Sequence, residues 1–110
     1  MLFKFLLLSW QERCEMNKRC RIESCNRCMD SQEIGKVAER FLKTLSFMGC
    51  NYDFIKRCDF EITKQIANIK TSQKSYWPCK KLEDMRCTIL CNGLDPNSQE
   101  DIIQQIHHLC

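Results

Sequence analysis

Ten cysteines in a chain of 110 residues are the side chains most able to do chemistry. A thiol can pair with another thiol, ligate a soft metal, or attack as a thiolate. The tightest spacing is Cys25-Asn26-Arg27-Cys28, which could supply half a zinc site or a redox pair. A zinc ribbon needs a second such pair, and the sequence has none. A thioredoxin-like motif needs a strand before it, and residues 20–24 do not read as a buried strand. The simpler use of Cys25 and Cys28 is in two separate structural bridges. At the other end, His107 and Cys110 are three apart in a helical pattern and could face one metal, with Cys25 and Cys28 completing a three-Cys, one-His set. That set leaves most of the cysteines unused, and a histidine near a helix C-terminus already suits the dipole.

Catalytic signatures are scarce. The only two histidines lie in the last four residues, and there is no Gly-x-Ser-x-Gly elbow, phosphate-cradling glycine loop or His-Glu-x-x-His. Glu83-Asp84 and Glu100-Asp101 are sequence neighbours, so their carboxylates do not face each other on a helix and read as solvated surface. The expectation is a protein that is not an enzyme, with no cofactor and no metal.

Composition bounds the rest. Hydrophobic residues are 44% and charged residues 28%, which excludes a disordered chain. Three glycines and two prolines exclude collagen-like classes and leave too few turns for a many-stranded sandwich. A formal charge of +3 names neither nucleic acid nor membrane as a partner. An even number of thiols in so short a chain points to an oxidising compartment. All ten, Cys14, Cys20, Cys25, Cys28, Cys50, Cys58, Cys79, Cys87, Cys91 and Cys110, are expected in disulfides, with the pairing left open. The competing reading is an intracellular zinc-stabilised module using Cys25, Cys28 and some of Cys87, Cys91, His107 and Cys110.

Residues 1–10 form a short apolar segment with Lys4 near its start. It is too short to span a bilayer, which needs about 20 apolar residues. It reads as the remnant of an export signal that starts upstream, an atypical signal, or a first apolar helix. Residues 11–110 read as one cysteine-rich domain.

Four stripes of helical period must position the cysteines. Ile34, Val37, Ala38, Phe41, Leu42, Leu45 and Met48 trace one face of a helix over 31–48, with Asp30 and Glu33 as a capping box and Gly49 as its stop. Ile55, Cys58, Ile62, Ile66 and Ile69 trace a second over 52–70, with Phe60 off the stripe. A third runs over 79–91, opened by Pro78 and stopped by Asn92-Gly93, and a fourth over 97–109 after Asp95-Pro96. Residues 11–29 are polar apart from cysteine and a few apolar side chains, and read as one or two short helical turns. Residues 71–76 read as a polar loop. Cys87 and Cys91 are four apart, so both leave one helical face. The fold class is all-α: a small disulfide-stapled bundle of four main helices.

The spacing Cys14-x5-Cys20-x4-Cys25, the aromatic helix Tyr52-Asp53-Phe54-Ile55 leading to Cys58, and Trp77-Pro78-Cys79-x7-Cys87 resemble a nematode-expanded secreted domain of unknown function. Cys28 and Cys91 depart from that pattern. The resemblance implies a helical extracellular domain and no established activity.

Work by binding is therefore the functional expectation: a secreted binding or effector protein whose partner is an extracellular protein or cell surface, without nucleic acid and without a transmembrane segment. Charge is uneven, with seven basic and three acidic residues over 52–81 and three acidic residues but no Lys or Arg over 92–110. The candidate contact surface is Lys74, Tyr76, Trp77, Lys80 and Lys81, two aromatics between lysines in a loop before a helix. Trp77 either points outward as an anchor or folds inward beside Cys79; the sequence leaves both open.

Overall fold

The computed structural model describes residues 8–30, 33–69 and 76–109. Among these residues the chain is all helix and turn. The helices are α1 (Trp10–Arg27), α2 (Ile34–Phe47), α3 (Tyr52–Ala67), α4 (Tyr76–Asn92) and α5 (Gln99–His107), and a 3-10 turn at Pro96–Ser98 leads into α5. The expectation of an all-α, disulfide-stapled bundle holds, with one more helix than four. No described helix is long and apolar enough to cross a membrane. Of the apolar segment at 1–10, residues 1–7 lie outside the described residues, as do Lys70 at the end of the expected second helix, residues 71–75 of the expected polar loop, and Cys110.

The extra helix is α1, read from sequence only as short turns. It is one continuous helix of 18 residues. Ser9 starts it with a capping box: its Oγ accepts from the Glu12 N–H at 3.1 Å, and Glu12 Oε1 accepts from the Ser9 N–H at 3.2 Å. Such a cap stabilises a helix by about 1 kcal/mol. Its buried positions are Cys20 and Ser24, so the face that anchors it carries thiols and a hydroxyl where an aliphatic stripe is usually sought.

In α2 the expected stripe is the buried one: Val37, Ala38, Phe41 and Leu45 face the core, with Ile34, Leu42 and Met48 packed beside them. The capping box expected from Asp30 and Glu33 does not form. Glu33 is itself the N-cap residue, makes no side-chain capping bond, and pairs instead with Lys36 and Arg40. At the far end Gly49 takes φ +79°, and the Cys50 and Gly49 N–H groups donate back to the carbonyls of Leu45 and Ser46. This closes the helix as a Schellman motif, which a Cβ at Gly49 would strain. Asn51 then caps α3 by accepting from the Phe54 N–H at 2.9 Å. The buried line of α3 is Phe54, Cys58, Ile62 and Gln65. It is rotated slightly from the expected line, so Ile55 and Ile66 flank the core and Phe60 stays exposed.

Helix α4 is central, packed against α1 on one side and α2 on the other. It therefore buries residues around much of its circumference: Pro78, Cys79, Leu82, Glu83, Met85, Cys87, Ile89 and Cys91. It also starts earlier than expected, so Tyr76 and Trp77 belong to its first turn, not to a loop. Pro78 is tolerated there because first-turn N–H groups have no partner inside the helix. Helix α3 packs on α2 and α5, and Ile102, Ile103, Ile106 and Leu109 complete the core.

Candidate functional site

The seam between α1 and α4 gathers most of the reactive side chains. The two helices run antiparallel, as the paired residue numbers show: Cys14 bonds to Cys91 and Cys20 bonds to Cys87, with Cα atoms 4.7 and 5.7 Å apart. One turn further along, Ser24 Oγ donates to Glu83 Oε2 at 2.7 Å. One turn beyond that, the thiols of Cys28 and Cys79 are in hydrogen-bonding contact, both fully buried. Positions 79, 83, 87 and 91 are four apart and occupy one stripe of α4, while 20, 24 and 28 do the same on α1. The seam is a ladder of two disulfide rungs, one polar rung and one dithiol rung. Arg21 reinforces its edge, donating to Thr88 Oγ1 at 2.8 Å and to Asp84 at 3.3 Å.

Glu83 corrects the reading of that carboxylate as solvated surface. Its side chain is 0% exposed. It accepts from Arg86 Nε at 3.0 Å and from Arg27 at 3.4 Å, besides Ser24. Burial is the largest influence and works against its ionisation. The hydrogen bonds from Arg86 and Ser24, with the charges of Arg86 and Arg40, together outweigh it and hold the carboxyl below its ordinary range. Its neighbour Asp84 does face solvent, and Glu100 is exposed and paired with Arg57 at 2.8 Å. The missed signal at Glu83 is its place midway between Cys79 and Cys87 on the cysteine stripe.

The remaining cysteines sit in different surroundings. Cys25 is exposed, while Cys28 turns inward to Cys79, so Cys25-x-x-Cys28 does not converge on one site. Cys50 is half-buried beside the core and Cys58 is fully buried. Burial, with the neighbouring Cys50, pushes the Cys58 thiol up to about 12. Burial likewise raises Cys28, Cys50 and Cys79. Thiols held protonated in this way are poor nucleophiles and poor metal ligands. The set considered for zinc is not brought together: Cys87 and Cys91 are spent in bridges, and His107 on α5 turns to Glu61 on α3, with Nδ1 3.4 Å from Oε2. Among the described residues no group of three or more His, Cys, Asp or Glu could hold a metal ion.

The candidate contact surface is partly assembled. Trp77 is 67% exposed, its ring meeting Tyr76 edge-on at 5.3 Å between centroids. Of the two placements left open by the sequence, the outward one is found. Tyr76 is half-buried and packs against the core, so it supports the indole from behind. The lysines are less free than the sequence suggests. Lys80 pairs with Asp84 at 3.3 Å, and Lys81 donates to the carbonyls of His108 and Leu109 at the end of α5. Lys74 lies outside the described residues. Helical spacing puts Trp77 in line with Lys81, Asp84 and Thr88. The last three border a groove of about 540 Å³ between α4 and α5, which Met85, Ile89 and Ile102 line with apolar surface.

No family model matches this chain, and no curated protein or solved structure matches it either.

Proposed function

We propose that this is a secreted, non-catalytic binding protein whose α4 surface, led by Trp77, contacts an extracellular or cell-surface protein. The observation that carries the reading is a large indole held two-thirds exposed on a helix that two disulfides fix in place. Fixing the backbone before contact lowers the ordering cost of binding, and tryptophan is among the strongest interface anchors. Disulfides between helices persist in oxidising compartments, which supports export. The resemblance of part of the cysteine spacing to the nematode-expanded secreted domain favours the same compartment. Lys81 beside the groove, together with the basic excess of residues 52–81, favours a partner with acidic and apolar side chains.

The test is binding of labelled, fully oxidised protein to cells and extracellular matrix of the source organism. Wild-type protein should bind saturably, and Trp77→Ala should weaken binding at least about thirtyfold, as removal of an anchor does. Equal binding by the variant, with its fold intact, overturns the reading.

A further inference from the structure

The seam between α1 and α4 leaves one rung open. Cys20 meets Cys87, Ser24 meets Glu83 and Cys28 meets Cys79, each step moving four residues forward on α1 and four back on α4. The register that joins Cys20 to Cys87 thus brings two further thiols into hydrogen-bonding contact, both closed off from solvent. The other described thiols are placed elsewhere: Cys25 faces solvent, and Cys58 has Cys50 for its thiol neighbour. Both members of the open rung lie at helix ends. Cys28 is the C-cap residue of α1, and Cys79 is in the first turn of α4. Helix ends open at lower free-energy cost than helix centres, so the pair is reachable although buried. The backbone of that first turn contributes little to holding it. Its N–H groups have no partners within the helix, and Pro78 has none to give.

We propose that Cys28 and Cys79 form a third disulfide, made by exchange with a disulfide oxidant, and that this bridge latches the first turn of α4 to the end of α1. In the exchange one thiol, once deprotonated, attacks a sulfur of the oxidant and expels a thiolate. The second thiol, deprotonated in turn, attacks the mixed disulfide and expels the other half. The protein gives up two protons and two electrons, and the oxidant leaves as two thiols. Burial disfavours the thiolate at both positions, so the attack belongs to the frayed or unfolded chain and not to the closed seam. With Cys20–Cys87, the new bridge encloses a ring running eight positions along each helix. Trp77 lies two residues before Cys79, so the bridge also fixes the turn that displays the indole, whatever the indole contacts.

The experiment refolds the fully reduced chain in a mixture of reduced and oxidised glutathione, blocks the remaining thiols, and maps the linked peptides by mass spectrometry. Cys28 linked to Cys79 is expected in the same molecules that carry Cys14–Cys91 and Cys20–Cys87. Amide hydrogen exchange then compares this protein with Cys28→Ala, which leaves the sequence of α4 unchanged. The amides of Lys80, Lys81 and Leu82 should exchange at least about tenfold faster in the variant, because the ring no longer restricts the open turn. Those of Ile103 and Ile106 in α5 should keep their rates, which separates a local release from a general loosening. The mapping uses wild-type protein alone, so it decides the pairing even where the variant is unstable. Cys28 and Cys79 both recovered free from protein with the other two bridges closed, or either linked to another cysteine, overturns the bridge. Equal exchange at Lys80, Lys81 and Leu82 in the two proteins overturns the latch.

Discussion

Removing the outer bridge measures how the ladder at the α1–α4 seam works. Cys14–Cys91 spans 77 residues of sequence. Taken alone, closing so long a loop would restrict the unfolded chain by about 4.5 kcal/mol. The bridge does not act alone, because Cys20–Cys87 already ties the same two helices. With that inner bridge closed, the outer one adds only a ring running six positions along α1 and four along α4. A ring of about ten residues is worth about 2.7 kcal/mol. Cys14 is half-buried and Cys91 is buried, and alanine keeps the Cβ of each, so the replacement removes only the packing of the two sulfurs. The unfolding entropy of a chain this long is about 230 cal/mol/K, so Cys14→Ala/Cys91→Ala should lower the melting temperature by about 12 °C. Thermal unfolding followed by far-UV circular dichroism, without reductant, reads this directly. A fall near 20 °C would show that the inner bridge does not hold the helices together. A fall under about 4 °C would show that the outer bridge does not restrain the chain. Either result refutes the nested ladder.

Other expectations follow from the same geometry. Glu83→Gln leaves Arg86 and Arg27 partly buried beside an uncharged amide and should cost about 3 kcal/mol in urea unfolding; a loss under about 0.5 kcal/mol would show that the cluster is not structural. Because Glu83 titrates below the ordinary carboxylate value when folded, its contribution is complete above the unfolded value near 4.5. As pH drops below that value the unfolded state takes up the proton first, so stability falls, and Glu83→Gln should flatten this acid limb of the stability profile. Iodoacetamide at neutral pH should label exposed Cys25 in the folded protein and spare Cys58, whose thiol is buried and raised to about 12; comparable labelling of both would place Cys58 at the surface. Trp77→Ala should change unfolding free energy by less than about 1 kcal/mol, since the ring is mostly in solvent; a loss of about 3 kcal/mol or more would mean that the indole packs inward.

Much of this architecture was legible where aliphatic side chains carry the period. Val37, Ala38, Phe41 and Leu45 announce α2, and Gly49 its stop, because a buried stripe and a positive-φ cap are local necessities. Helix α1 was not, because its inward face is Cys20, Ser24 and Cys28, residues whose apolar character appears only when a partner helix supplies the matching thiol or carboxylate. Helix α4 hides its length for the opposite reason: lying between α1 and α2, it buries two faces and shows no single stripe. Spacing did reveal that Cys87 and Cys91 share a face, but not that Cys20 and Cys14 answer them, since pairing depends on the antiparallel register. The outward position of Trp77 was equally undetermined, because Pro78 suits either a loop or the first turn of a helix. Lys80 and Lys81 looked like free rim charges only because Asp84 and the end of α5 are brought to them by folding.

Disulfide mapping of the unreduced protein tests the stapled helix pair most directly. Proteolysis without reductant, with free thiols blocked first, followed by tandem mass spectrometry, reports each linked pair. The structure predicts Cys14 linked to Cys91, Cys20 linked to Cys87, and Cys28 joined to Cys79 or to nothing. Recovery of Cys14, Cys20, Cys87 and Cys91 as free thiols, or of Cys14 or Cys20 linked to any cysteine outside α4, would contradict it.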